Sequence, residues 1–96
     1  MKKLNGMLRI VVKRKGHQEF YDRKKVYASV YAAALNCGYG ERKSERIALR
    51  VMKEINVWVK TKKVIESQGI RKKVVESLVK IDKDVALMYK SHLDVC

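Results

Sequence analysis

The sequence predicts an α+β domain, a small β-hairpin with a short third strand packed against a bundle of about four α-helices. Three observations lead there. Residues 8–14 are β-branched and loosely alternating, and turn chemistry follows at Gly16. From residue 22 onward, apolar residues recur at helical spacing in successive stretches. No proline, repeat, low-complexity tract or linker interrupts the 96 residues, so a single domain accounts for the chain.

The hairpin comes first: a strand over 8–14, a turn at Lys15-Gly16 and a return over 18–21. Lys-Gly is a weaker turn than Asn-Gly, because both central positions of a type I′ turn want positive φ. Asp22 is placed to cap the first helix, its carboxylate accepting from backbone N–H groups that lack a helical partner. Val26, Val30, Ala33, Ala34 and Cys37 form that helix's buried stripe, and Gly38 is its expected stop. A second helix is expected from Arg42 or Ser44 to about Val59, with Ile47, Val51, Met52, Ile55 and Trp58 inward. After the charged connector 60–63, Val64-Ile65 reads as the third strand. Ser67 is the expected N-cap of a third helix carrying Ile70, Val74, Leu78 and Ile81. Asp82 or Asp84 opens the last, which places Val85, Met88, Tyr89 and Leu93 on one face.

Composition narrows the function classes. The chain is 47% hydrophobic, which is globular rather than disordered. No apolar run approaches the roughly 20 residues of a membrane span, and Met1–Gly6 is too poor in apolar residues for a signal peptide, so a cytoplasmic location is expected. Cys37 and Cys96 have no paired spacing, which rules out a Cys zinc site and makes a disulfide an unexpected reading in such a chain. His17 and His92 stand in no metal-ligand spacing, and no nucleophile elbow is present. Cys37 lies on an apolar stripe and reads as a small core residue. No catalysis and no protein-bound metal are expected.

What remains is charge. Twenty-three Lys and Arg against ten acids give +13, a field that attracts polyanions without naming one. Nine of the cations fall in the first 25 residues, opposed there only by Glu19 and Asp22. Lys13 and Arg14 are strand neighbours that leave from opposite faces, while Lys25 sits in the first turn of a helix whose dipole favours anions.

The string Val12-Lys13-Arg14-x-Gly16-x-x-Glu19-x-Tyr21-Asp22-x-x-Lys25 resembles the opening motif of the ATP-cone. This small nucleotide-binding module is best known from ribonucleotide reductases and the zinc-ribbon repressors of their genes. Val64-Ile65-Glu66-Ser67-Gln68-Gly69-Ile70 is similar to its short strand and third helix, and Asp84-Val85-Ala86-x-x-Tyr89 to its closing helix. The resemblance covers residues 8–93, leaving 1–7 as a short basic extension. It implies that Lys13 and Arg14 contact phosphates and that Lys25 supports the phosphate or ribose side. Glu19 and Asp22 would lie near the adenine, Val26 would pack on the base, and Ser67 and Arg71 would approach from the third helix. Asp22 as a cap, Val26 as core and Ser67 as an N-cap account for those residues equally well. Lys15 departs from the family's turn Asp, and His92-Leu93-Asp94 stand where relatives often have Tyr and Arg.

The expectation is therefore a free-standing, non-catalytic regulatory or sensing module. It would bind ATP or dATP, with Mg2+ arriving on the nucleotide, and would control self-association or a partner protein. The competing reading is a basic nucleic-acid-binding protein or transcriptional regulator on the same fold, and a third is an interaction adaptor.

Overall fold

Val11 and Ile65 lie side by side on adjacent strands and are almost fully buried, and the sheet is built on that pair. The computed structural model describes residues 9–12 and 16–95, with side chains through residue 92. Its elements are β1 (Ile10–Val12), β2 (Gln18–Phe20), α1 (Arg23–Asn36), α2 (Glu41–Lys60), β3 (Ile65–Glu66), α3 (Ser67–Ile81) and α4 (Lys83–Val95). This is the expected α+β architecture. The sheet order is β2-β1-β3, with β1 antiparallel to β2 and parallel to β3. A parallel neighbour needs a long crossover, and α1 and α2 supply it. The opposite side of the pleat carries the Ile10–Phe20 pair, both exposed.

Several boundaries depart from expectation for identifiable reasons. Val12 pairs with Gln18, which leaves five residues between them. An odd spacing does not fit a two-residue turn centred on Lys15-Gly16. Gly16 at φ 80 suits a longer loop that closes on a left-handed residue. The second helix begins at Glu41 rather than Arg42 or Ser44, with Gly40 at its cap and the Glu41 carboxylate complementing the dipole. Ser44 is instead a fully buried member of the stripe Ser44, Ile47, Ala48, Val51, Ile55 and Val59, while Met52 and Trp58 are only half-buried.

The third strand is shifted one residue, to Ile65–Glu66, because Ile65 must face the core beside Val11; Val64 is left 69% exposed. Ser67 is not an N-cap. Glu66, still paired with Val12, occupies the cap position with extended backbone, and Ser67 is the first helical residue. Strand therefore passes into helix with no intervening loop.

Asp22 does cap α1, accepting from Lys24 N–H at 2.9 Å. At the other end Gly38 takes φ 90. Gly38 N–H donates to Leu35 O at 2.9 Å and Tyr39 N–H to Ala34 O at 3.3 Å, a Schellman ending. Asp82 serves two helices. It closes α3, and its carboxylate accepts from the N–H groups of Asp84 (3.0 Å) and Val85 (3.2 Å) at the start of α4. Its other oxygen accepts from the Tyr39 hydroxyl at 2.6 Å, tying the α1–α2 turn to the α3–α4 turn.

Candidate functional site

Residues 22, 25, 26 and 29 fall on one face of α1 by the 3.6-residue period, and 67, 70 and 71 fall on one face of α3. The fold turns those two faces toward each other, with β2 on one side and α4 on another. Between them lies a cavity of about 260 Å³. Its apolar surfaces come from Val11, Val26 and Ile70. Glu19, Asp22, Lys25, Ser29, Ser67 and Arg71 supply polar groups around it. Of the residues singled out from the sequence, Glu19, Asp22, Lys25, Val26, Ser67 and Arg71 thus share one cavity. Lys13 and Arg14 lie outside the described residues.

Lys25 and Glu19 meet directly, with the ammonium 3.3 Å and 3.4 Å from the two carboxylate oxygens. The side chains are 65% and 35% exposed, so the pair is a surface ion pair, worth about 0–1 kcal/mol and readily exchanged for a competing anion. Asp22 spends one oxygen on its cap. Val26 belongs to the buried core as well as to the cavity wall. No side chain caps α3, so the first-turn N–H groups beside Ser67 have no capping side-chain acceptor.

Val11, Phe20, Tyr21, Ser29, Ile70 and Tyr89 also line the cavity, beyond the residues that the sequence singles out. Ser29 had a legible signal, since it continues the 22–25–26 face by one turn. Tyr89, inward by its spacing on α4, is buried and also lines the cavity. Burial pushes its phenol pKa up, opposed by the Ser29 hydroxyl and the Arg71 charge, so it stays a neutral donor. Tyr21 is held by its hydroxyl, which donates to Asn56 Oδ1 on α2 at 2.7 Å. Burial pushes that phenol up to about 12. The cavity wall is therefore fastened to the longest helix.

Elsewhere the chemistry is sparse. Cys37 is only half-buried, and its thiol donates to Asp84 O at 3.5 Å. Burial raises its pKa, which disfavours the nucleophilic thiolate. His17 is exposed. Among the described residues no group of three or more His, Cys, Asp or Glu could hold a metal ion, and no helix is long and apolar enough to cross a membrane.

Apolar walls and a charged rim make this cavity the candidate small-molecule site of the α+β fold. Residues 9–91 match the family described as the ATP cone domain, and the chain belongs to that family. The ATP-cone is a nucleotide-binding regulatory module rather than a catalytic one. No curated protein matches the chain.

Proposed function

We propose that this protein binds ATP or dATP in the cavity between α1, β2, α3 and α4, and that it acts as a sensor without a catalytic step of its own. The observation that carries the reading is the meeting of the 22–25–26–29 face of α1 with the 67–70–71 face of α3 around an apolar-walled space. Its volume, about 260 Å³, is slightly below the roughly 300–1,000 Å³ usual for small-molecule sites. That suits a base and sugar held inside with the phosphates outside. Val26 and Ile70 sandwich the base, and the Glu19 carboxylate accepts from the exocyclic amine that adenine has and guanine lacks at that position.

On binding, Lys25 exchanges Glu19 for the ribose or phosphate side of the ligand, so one ion pair is traded for two ligand contacts. Ser67, Arg71 and the open N–H groups at the start of α3 approach from the opposite wall. Lys13 and Arg14 take the phosphates, Arg14 as a two-oxygen fork and Lys13 as a mobile charge. Mg2+ travels with the nucleotide. The output is a change in self-association or in the grip on a partner protein.

Calorimetric titration with ATP, dATP, GTP and tripolyphosphate tests this. The expected order is ATP or dATP well ahead of GTP, with tripolyphosphate weakest. Equal binding of ATP and tripolyphosphate would reduce the cavity to a bystander of a general anion surface.

A further inference from the structure

The side of α3 turned away from the cavity meets α2 across a second depression, of about 510 Å³, lined by Lys53, Glu54, Val57, Trp58 and Lys73. Its floor is apolar and uncovered: Val57 is 65% exposed. Trp58 is half-buried, and the exposed ammonium of Lys62 lies 5.3 Å from its ring centre. Gly69 on α3 faces the indole, and a Cβ there would lie 3.8 Å from it, in ordinary van der Waals contact. The rim is cationic through Lys53, Lys62 and Lys73. The acids nearby are engaged within the protein. Glu54 accepts from Ser77 Oγ at 2.6 Å and lies 4.0 Å from Arg50 Nε, and Glu76 pairs with Lys73 at 3.5 Å.

We propose that this groove binds single-stranded nucleic acid, with one base stacked on Trp58 and neighbouring phosphates on Lys53, Lys62 and Lys73. An indole flanked by lysines suits a chain that alternates flat bases with phosphates. The incoming base displaces the Lys62 ammonium from the ring, which frees it for the adjacent phosphate. A duplex keeps its bases stacked within the helix and offers no face to Trp58. A protein partner fits less well, because the centres of protein interfaces are depleted in lysine and this floor offers little apolar area beyond one Val and one Trp. The proposal is independent of the nucleotide cavity, which uses Ser67, Ile70 and Arg71 on another side of α3.

Trp58 is the chain's single tryptophan, so its emission reports the site directly. The experiment titrates the full chain with an oligothymidine of about 12 nucleotides, with the matching duplex and with polyglutamate, near physiological salt. Single strands should quench Trp58, and duplex and polyglutamate should not. Trp58→Leu should weaken binding of a labelled single strand roughly tenfold. Lys53→Gln with Lys73→Gln should lower the salt slope by roughly 1.4, about 0.7 for each lost phosphate contact. Lys83→Gln with Lys90→Gln, an equal charge change on α4, should leave the quenching in place and the Trp58 contribution unchanged. Absent quenching, equal quenching by duplex or polyglutamate, or equal loss from both lysine pairs would overturn the proposal. Should Trp58→Leu fail to fold by circular dichroism, the wild-type quenching and the two lysine pairs still decide it.

Discussion

Glu19 and Lys25 show how one ion pair can sit at the rim of the candidate site without strengthening the fold. At 3.3 Å, with Lys25 largely and Glu19 partly exposed, the pair contributes little to stability. Glu19→Gln should therefore leave the melting temperature nearly unchanged while reducing the preference for ATP over GTP in a competition titration. Val26→Asp should weaken both binding and fold, because Val26 serves the core and the cavity together. Lys2→Gln should leave nucleotide affinity nearly unaltered, and a loss equal to that of Glu19→Gln would mean that overall basicity carries the binding. If Arg14 holds the phosphates as proposed, Arg14→Ala should cost about ten- to hundredfold in ATP affinity by calorimetry. At this scale the sequence is informative about the face 22–25–26, and Ser29 continues that face by spacing but has no chemistry of its own to mark it. A lone serine on an otherwise mixed helix face carries no weight until the opposite wall is known. Tyr89 was hidden for a related reason: spacing identifies an inward side chain but not whether it meets packed atoms or a cavity.

The elements are joined by caps, and those caps are where local stability is most exposed. Gly38 holds φ 90 with nothing within 4 Å of a would-be Cβ, so Gly38→Ala costs backbone strain alone. About 1 kcal/mol or slightly more is expected by urea denaturation. Asp82 gives a pH signature. Its pKa is lowered from 3.8, first by the Tyr39 hydroxyl, with help from the Val85 and Asp84 N–H groups, against the effect of burial. A depressed carboxylate contributes stability that is complete above its ordinary value and lost as pH falls through the lower folded one. Tyr39 has the opposite sense: the hydrogen bond to Asp82, then burial, raises its pKa from 10.0 to about 12, so its contribution fades as pH rises through that range. Melting temperature against pH should fall off at both ends for wild type. Asp82→Asn should flatten the acid limb, and an unchanged acid limb would show that the contact contributes nothing. The Gly38 stop and the Asp22 cap were legible because each is decided by residues adjacent in sequence. Ser67 does not cap α3 because Glu66 pairs with Val12, a long-range contact that overrides the local capping preference.

For the molecule as a whole, nucleotide binding and stability are linked quantities. With a dissociation constant on the order of 10 μM, a hundredfold excess of ATP contributes about 2.7 kcal/mol. Each kcal/mol moves the melting temperature of a domain this size by roughly 4–8 °C. A thermal scan at about 1 mM ATP should therefore shift upward by ten degrees or more, and a shift below one degree would exclude binding at that affinity. The +13 charge predicts a further, salt-sensitive stabilisation by any polyanion, so the scan is informative only beside a tripolyphosphate control. Element order was recoverable from the sequence because each helix announces itself by its own period. The sheet order β2-β1-β3 was not, since it depends on which strand the α1–α2 crossover brings beside β1.

The seam between β3 and α3 has a consequence for how this chain can tolerate change in length. With strand pairing at Glu66 and helix at Ser67, the rotational phase of α3 is inherited from the sheet without slack. Inserting one alanine there would turn the helix by about 100°. Ser67 and Arg71 would then swing off the cavity, while Gly69 and Lys73 would lose their place beside Trp58. An equal insertion in the exposed 60–63 connector is upstream of β3 and leaves that phase intact. A paired comparison should show a folded, ATP-responsive protein for the connector insertion and loss of ATP response for the seam insertion. Natural variation in length should accordingly gather in the connector and avoid the seam.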